Sequence, residues 1–154
     1  MAGKRDLIRM SDEEIRDFIE NARTMIIVSN GKDGYPHAMP MWFVIRDGCP
    51  LLSTFAKSQK VLNVRRDPRV TALVESGVEY DKLKGVMIRG KGEIIESRAT
   101  VEEIQLAFAN KYVGGPFPEG AEEVIRARAN KRVVIRIVPE KFISWDHTRL
   151  GGAY

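Results

Sequence analysis

Between Met25 and Thr54 the chain passes through three short apolar segments with little but turn chemistry between them. Met25 to Val28 is followed by Asn30-Gly31-Lys32-Asp33-Gly34, residues that tolerate positive φ. Ala38 to Ile45 runs into Asp47-Gly48, and Leu51 to Thr54 closes the series. Three strands joined by two short turns predict an antiparallel meander. Strict alternation of strand and helix is missing, which argues against a parallel doubly wound sheet.

The remaining segments fit around such a sheet. Ser11 and Glu14 have the spacing of a capping box, and Ile15, Phe18, Ile19 and Ala22 then recur at helical intervals. A helix is expected from Ser58 to Arg66, stopped by Asp67-Pro68, with a strand from Val70 to Val74 and a polar loop from Tyr80 to Lys84. Val86 to Ile95 alternates and holds Gly90 and Gly92, which predicts a strand with a bend or bulge. Thr100 and Glu103 suggest a second capping box, ahead of an apolar stripe of Val101, Ile104, Phe108 and Tyr112. Gly114 to Pro118 breaks that helix, Ala121 to Ala129 reads as a short one, and Arg132 to Val138 is a strand that Phe142 to Trp145 extends. The fold class expected is mainly β with α: a small antiparallel barrel of about six strands with peripheral helices.

Composition bounds the function. The 154 residues make one domain, expected to be ordered over 11–147 with loose ends; a chain of this size hides roughly 68–70% of its unfolded surface. A single cysteine, Cys49, excludes a disulfide framework, and two histidines, His37 and His147, leave little for a metal centre, so no metal site is expected. No apolar run approaches the length of about 20 residues that spans a bilayer. The opening MAGKRDLIRM lacks the apolar stretch of a signal peptide, so the expected location is cytoplasmic, without a membrane partner. The net charge of +4 is unevenly spread. Lys57, Lys60, Arg65, Arg66 and Arg69 face only Asp67 across one segment; Arg126, Arg128, Lys131, Arg132 and Arg136 crowd another that holds no acid. Two such segments suggest an anionic partner, although each also reads as the solvated face of an amphipathic element.

The usual nucleotide-binding and hydrolase motifs are absent. The informative stretch is Leu51 to Val74, where a strand ends in Ser53-Thr54, a loop carries Lys57, and a helix begins near Ser58. A helix start offers free amides, Ser53, Thr54 and Ser58 offer hydroxyls, and Lys57 and Lys60 offer charge: together a phosphate cradle without a glycine-rich loop. The plainer alternative is that Ser58 caps the helix while both lysines stay in solvent.

That stretch, STFAKSQKVLNVRRDPRV, resembles the signature of the flavin and deazaflavin split-barrel superfamily, which includes the pyridoxamine 5'-phosphate oxidase-like proteins. The matching positions are Thr54, Lys57, Ser58, Lys60, Asn63, Asp67, Pro68 and Arg69, preceded by Gly34, Pro36, His37, Pro40, Trp42 and Phe43. The resemblance implies an FMN-binding-like split β-barrel and a homodimer with cofactor sites between subunits. It places the phosphate against Lys57, Ser58 and Lys60, near Ser53, Thr54 and Asn63, and sets Met39, Pro40, Met41 and Trp42 beside the ring. It also suggests Trp145, His147 or Arg149 as residues that reach the partner's site. The strand HAMPMWFV carries no Lys or Arg, whereas pyridoxamine-phosphate oxidases have an arginine there for the FMN phosphate. The pattern is closer to the branch that uses the deazaflavin F420, whose phosphodiester and glutamate tail would suit Arg65, Arg126, Arg128 and Lys131.

The function expected from this resemblance is an F420-dependent oxidoreductase passing hydride to or from a small organic substrate, with an FMN-binding oxidase-like protein as the alternative. In such enzymes the cofactor does the chemistry, so no protein triad is expected and no catalytic residue is assigned. Two other classes stand beside it: a cofactor carrier without turnover, and a basic barrel for single-stranded nucleic acid. The second needs aromatics interleaved with the basic residues, and segments 57–69 and 126–136 hold none.

Overall fold

The computed structural model describes residues 3–152. Their order is α1 (Lys4–Leu7), α2 (Asp12–Asn21), β1 (Met25–Asn30), β2 (Pro36–Met41), β3 (Val44–Arg46), β4 (Cys49–Phe55), α3 (Gln59–Arg66), β5 (Arg69–Ser76), β6 (Lys84–Ile95), α4 (Arg98–Tyr112), α5 (Ala121–Ala127) and β7 (Arg132–Asp146). Short 3-10 turns occupy Tyr80–Lys82 and His147–Leu150. The seven strands form one antiparallel sheet in the order β2-β1-β5-β6-β7-β4-β3, curled as a split barrel.

Two expectations need correction. The segment Ala38 to Ile45 is not one strand: Trp42 and Phe43 lie outside the ladder, and β2 and β3 end up at opposite edges of the sheet. The meander is therefore broken, and there are seven strands rather than six. The cause is tertiary, because Tyr112 and Lys111 at the end of α4 take up the Phe43 peptide that a neighbouring strand would otherwise hold. The second correction is at α4. Its N-cap is Ser97, whose hydroxyl accepts from Thr100 N at 3.4 Å, so Thr100 sits inside the first turn rather than at the cap.

Other local expectations match. Ser11 and Glu14 form the reciprocal capping box, with Ser11 N to Glu14 at 2.7 Å and Glu14 N to Ser11 Oγ at 3.2 Å. β6 is bulged between Arg89 and Gly90. At Gly90 a Cβ would lie 2.2 Å from the Val138 carbonyl oxygen, so only glycine lets β7 approach this closely.

The core fills both sides of the curl. Met25, Ile27, Leu52, Ala72, Val86, Ile88 and Ile135 pack inside with Ile15 and Ile19 of α2 and Val61 and Val64 of α3. A second cluster joins Leu51 and Val134 of the sheet to Val101, Ile104 and Phe108 of α4. One stretch of the sheet's outer surface is left without a helix. Pro40, Ile26, Leu73, Met87 and Ile143 stand directly opposite one another across five strands, and all five are partly or fully exposed. No helix of the described residues is long and apolar enough to cross a membrane.

Candidate functional site

β4 is buried along nearly its whole length, which brings its polar end, Ser53 and Thr54, into the protein. α3 starts four residues later and lies against β1 and β6. That geometry turns Lys60 inward, where it is only 8% exposed. Lys60 Nζ donates to Thr54 Oγ1 at 3.1 Å, and Thr54 Oγ1 donates to Ser58 Oγ at 3.3 Å. Ser58 occupies the N-cap position of α3 without a side-chain cap bond, its hydroxyl being used by Thr54. Capping therefore does not account for Ser58, and solvation does not account for Lys60. Lys57 alone of the three is exposed. Among the described residues no carboxylate pairs with Lys60, and burial lowers its pKa. A buried ammonium with one neutral acceptor has spare donors and an unmet charge.

On the other face of β4, where Ser53 points, lies a cleft of ≈ 390 Å³ between β2, β4, α4 and the start of β7. Pro40, Met41, Trp42 and Ser53 line it, so four of the expected site residues meet there. Gln105, Arg128 and Arg132 line it as well. Ser53 Oγ accepts from Gln105 Nε2 at 2.5 Å. The Arg132 guanidinium lies 4.3 Å from the centre of the Phe55 ring, and burial, then the nearby charge of Arg128, lowers its pKa. Neither arginine pairs with a carboxylate among the described residues, and no acid or histidine lines the cleft. The Trp42 indole stacks on Tyr112 at 4.3 Å and 4°. Burial raises the pKa of the Tyr112 phenol, which keeps the hydroxyl protonated.

Not every expected residue joins this cleft: Thr54, Lys57, Ser58 and Lys60 do not line it. Met39 sits on the edge strand, 39% exposed and opposite Ile27. Asn63 is fully buried and ties α3 to the sheet: its Nδ2 donates to Ser29 Oγ at 3.1 Å, and its Oδ1 accepts from Gln59 at 2.9 Å. It lines a separate cavity with His37, whose buried Nδ1 has no partner among the described residues. Arg65 and Arg126 are engaged by Glu96 and by Glu102 and Glu122, so their charge is not spare. Trp145 packs over Gly85, the His147 ring bonds the Tyr80 carbonyl, and Arg149 holds Glu14 and the Arg9 carbonyl, all within their own chain.

Gln105 is absent from the expectations. Its signal was available: it stands four residues after Val101 on the apolar stripe, and a polar side chain in that place has to find a buried partner. Arg132 was visible only as one charge of a basic segment, because its apposition to Phe55 comes from the β4–β7 register.

A phosphorylated, ring-bearing cofactor is compatible with these groups. Arg128 and Arg132 offer two charges in the cleft and Trp42 a flat wall, while Lys60 offers an unmatched buried charge on the other face of β4. The curled antiparallel sheet of seven strands is that of a split barrel. The pyridoxamine 5'-phosphate oxidase family model matches residues 11–146, and the chain belongs to that family. A conserved hypothetical protein from Mycobacterium tuberculosis is 40% identical over 99% of this chain and 95% of its own, with a TM-score of 0.89. An F420 reductase is 21% identical over 86% of this chain and 98% of its own, at a TM-score of 0.66. A FAD-binding protein from Mesorhizobium loti is 19% identical over 90% and 96%, also at 0.66. At those identities the last two show the fold alone. A search of curated proteins gave no match.

Proposed function

We propose that the chain is an oxidoreductase that uses F420 to transfer hydride to or from a small organic substrate, and that it works as a homodimer. The observation that carries this reading is the uncompensated positive charge of the cleft: Arg128 and Arg132 line it without a carboxylate. A cofactor with a phosphodiester and several carboxylates supplies the missing anions. The F420 reductase among the fold relatives is consistent with the assignment.

When bound, the deazaflavin supplies the hydride chemistry. The chain's own residues bind and orient it. Lys57, Ser58 and Lys60 at the start of α3 would hold the phosphate, and Thr54 directs the Lys60 ammonium. Arg128 and Arg132 take the tail carboxylates. Pro40, Met41 and Trp42 close one side of the cleft against water. Neither a histidine, a cysteine nor a carboxylate lines it, so binding and orientation are the protein's contribution. Pro40 also ends the exposed apolar row on the outer sheet face, so a second copy seated there would wall the cleft.

The test is a paired fluorescence titration with F420 and FMN. Tight F420 and weak FMN binding is the expected result. The reverse moves the chain to the FMN-dependent branch, which Lys60, Thr54 and Ser58 would serve equally well, and binding of neither removes the cofactor reading. Retention of an oligonucleotide that salt releases would revive the nucleic-acid alternative.

A further inference from the structure

At Phe43 the chain leaves one edge of the sheet for the other, and its peptide has no strand to pair with. The residue is fully buried, so its N–H and C=O need partners within the protein. One hydroxyl serves both. Phe43 N donates to Tyr112 Oη at 2.9 Å, and Tyr112 Oη donates to Phe43 O at 2.8 Å. Lys111 Nζ adds a 3.1 Å bond to the same carbonyl. The Tyr112 ring meanwhile lies flat on Trp42, with Phe108 edge-on at 6.0 Å and the Arg23 guanidinium 5.1 Å from its centre. Arg23 also donates to the Tyr112 carbonyl at 3.4 Å.

A single side chain at the end of α4 thus acts on two adjacent residues of the crossover, through its hydroxyl on Phe43 and its ring on Trp42. Trp42 needs this support, because it belongs to no strand and is 52% exposed at the cleft wall. We propose that Tyr112 is the positioning residue of the cleft, setting the placement of Trp42 and through it the fit of the bound cofactor. The second half rests on the cofactor reading above; the first does not. Loss of the hydroxyl leaves the Phe43 N–H without an acceptor, while the carbonyl keeps Lys111. The crossover then shifts to satisfy the freed donor, and Trp42 moves with it.

The test is Tyr112→Phe, which keeps the ring and removes the hydroxyl, with Lys111→Met as a control that leaves Tyr112 in place. Labelling with 5-fluorotryptophan gives one fluorine resonance for each of the two tryptophans, and Trp42→Phe assigns them. In the ligand-free protein Tyr112→Phe should move the Trp42 resonance and leave that of Trp145 in place, while Lys111→Met moves neither. F420 affinity should fall about tenfold in Tyr112→Phe, the scale of one lost hydrogen bond. An unmoved Trp42 resonance overturns the proposal, and so does a joint shift of both resonances, which reports general loosening. If wild-type protein binds neither F420 nor FMN, the cofactor reading fails, and the positioning role is still decided by the resonances.

Discussion

At the scale of single residues, Lys60 makes the sharpest demand. Its ammonium is buried with a threonine hydroxyl and no carboxylate, an arrangement that destabilises the ligand-free protein. Binding and stability should therefore respond in opposite directions. Lys60→Ala or Lys60→Met should weaken the cofactor by about 1.5–3 kcal/mol, while Lys60→Met leaves the ligand-free melting temperature unchanged or raised. Burial places the folded pKa below the ordinary 10.5, so the cost is full below the folded value, fades as pH rises through it and is gone above 10.5. The advantage of Lys60→Met in a thermal melt should fade over the same alkaline window. A destabilised Lys60→Met with unchanged affinity would make Lys60 a packing residue. The hydroxyl-and-lysine pattern around α3 was legible because it lies within eight consecutive residues, 53–60. Of that pattern only Ser53 lines the cleft, which Gln105, Arg128 and Arg132 reach from α4 and the approach to β7 with no local pattern linking them to it.

At the scale of elements, what could be read from the sequence followed local chemistry. The Ser11 box, the Asp67-Pro68 stop and the bend near Gly90 all depend on neighbours in the chain and stand as expected. The break at Trp42-Phe43 depends on Tyr112, 69 residues away, and the apolar run through it looks continuous. The start of α4 was misplaced because Ser97 and Thr100 are both cap-type residues three apart, and the hydroxyl of the first takes the amide of the second. The bulge in β6 yields a prediction about stability alone. A methyl at Gly90 would meet backbone, the Val138 carbonyl, which has no free rotamer to move aside. Gly90→Ala should cost about 2 kcal/mol or more in chemical denaturation. A change near zero would mean that β7 separates from β6 there at little cost.

The whole molecule is tied at its ends and open on one face. Asp146 is buried and accepts from Thr148 N and Oγ1 and from Lys84 Nζ at 3.0 Å, and Arg149 links it to Glu14 of α2. Burial pushes the Asp146 carboxyl up, but the bonds from Thr148 and Lys84 outweigh it and hold the carboxyl below its ordinary value. The Ser11 amide and Arg149 lower the pKa of Glu14. Carboxyls depressed in this way contribute stability above their unfolded pKa and lose it as pH falls through the folded value. Thermal midpoints should therefore fall as pH drops below the ordinary carboxylate values of 3.8 and 4.5, and Asp146→Asn should melt lower at pH 7 with a shallower acid slope. Equal slopes would take Asp146 out of the acid response. The open face makes a different demand, because its apolar row runs from Ile143 to Pro40, which is itself a wall of the cleft. If a second copy covers that row, assembly and binding are linked. Met87→Glu, within the row and distant in sequence from every cleft residue, should then yield a monomer by sedimentation velocity and lose cofactor affinity together with the dimer. A monomeric Met87→Glu that binds the cofactor as wild type does would show that one chain builds the whole site. A wild-type monomer would leave the apolar row to some other partner.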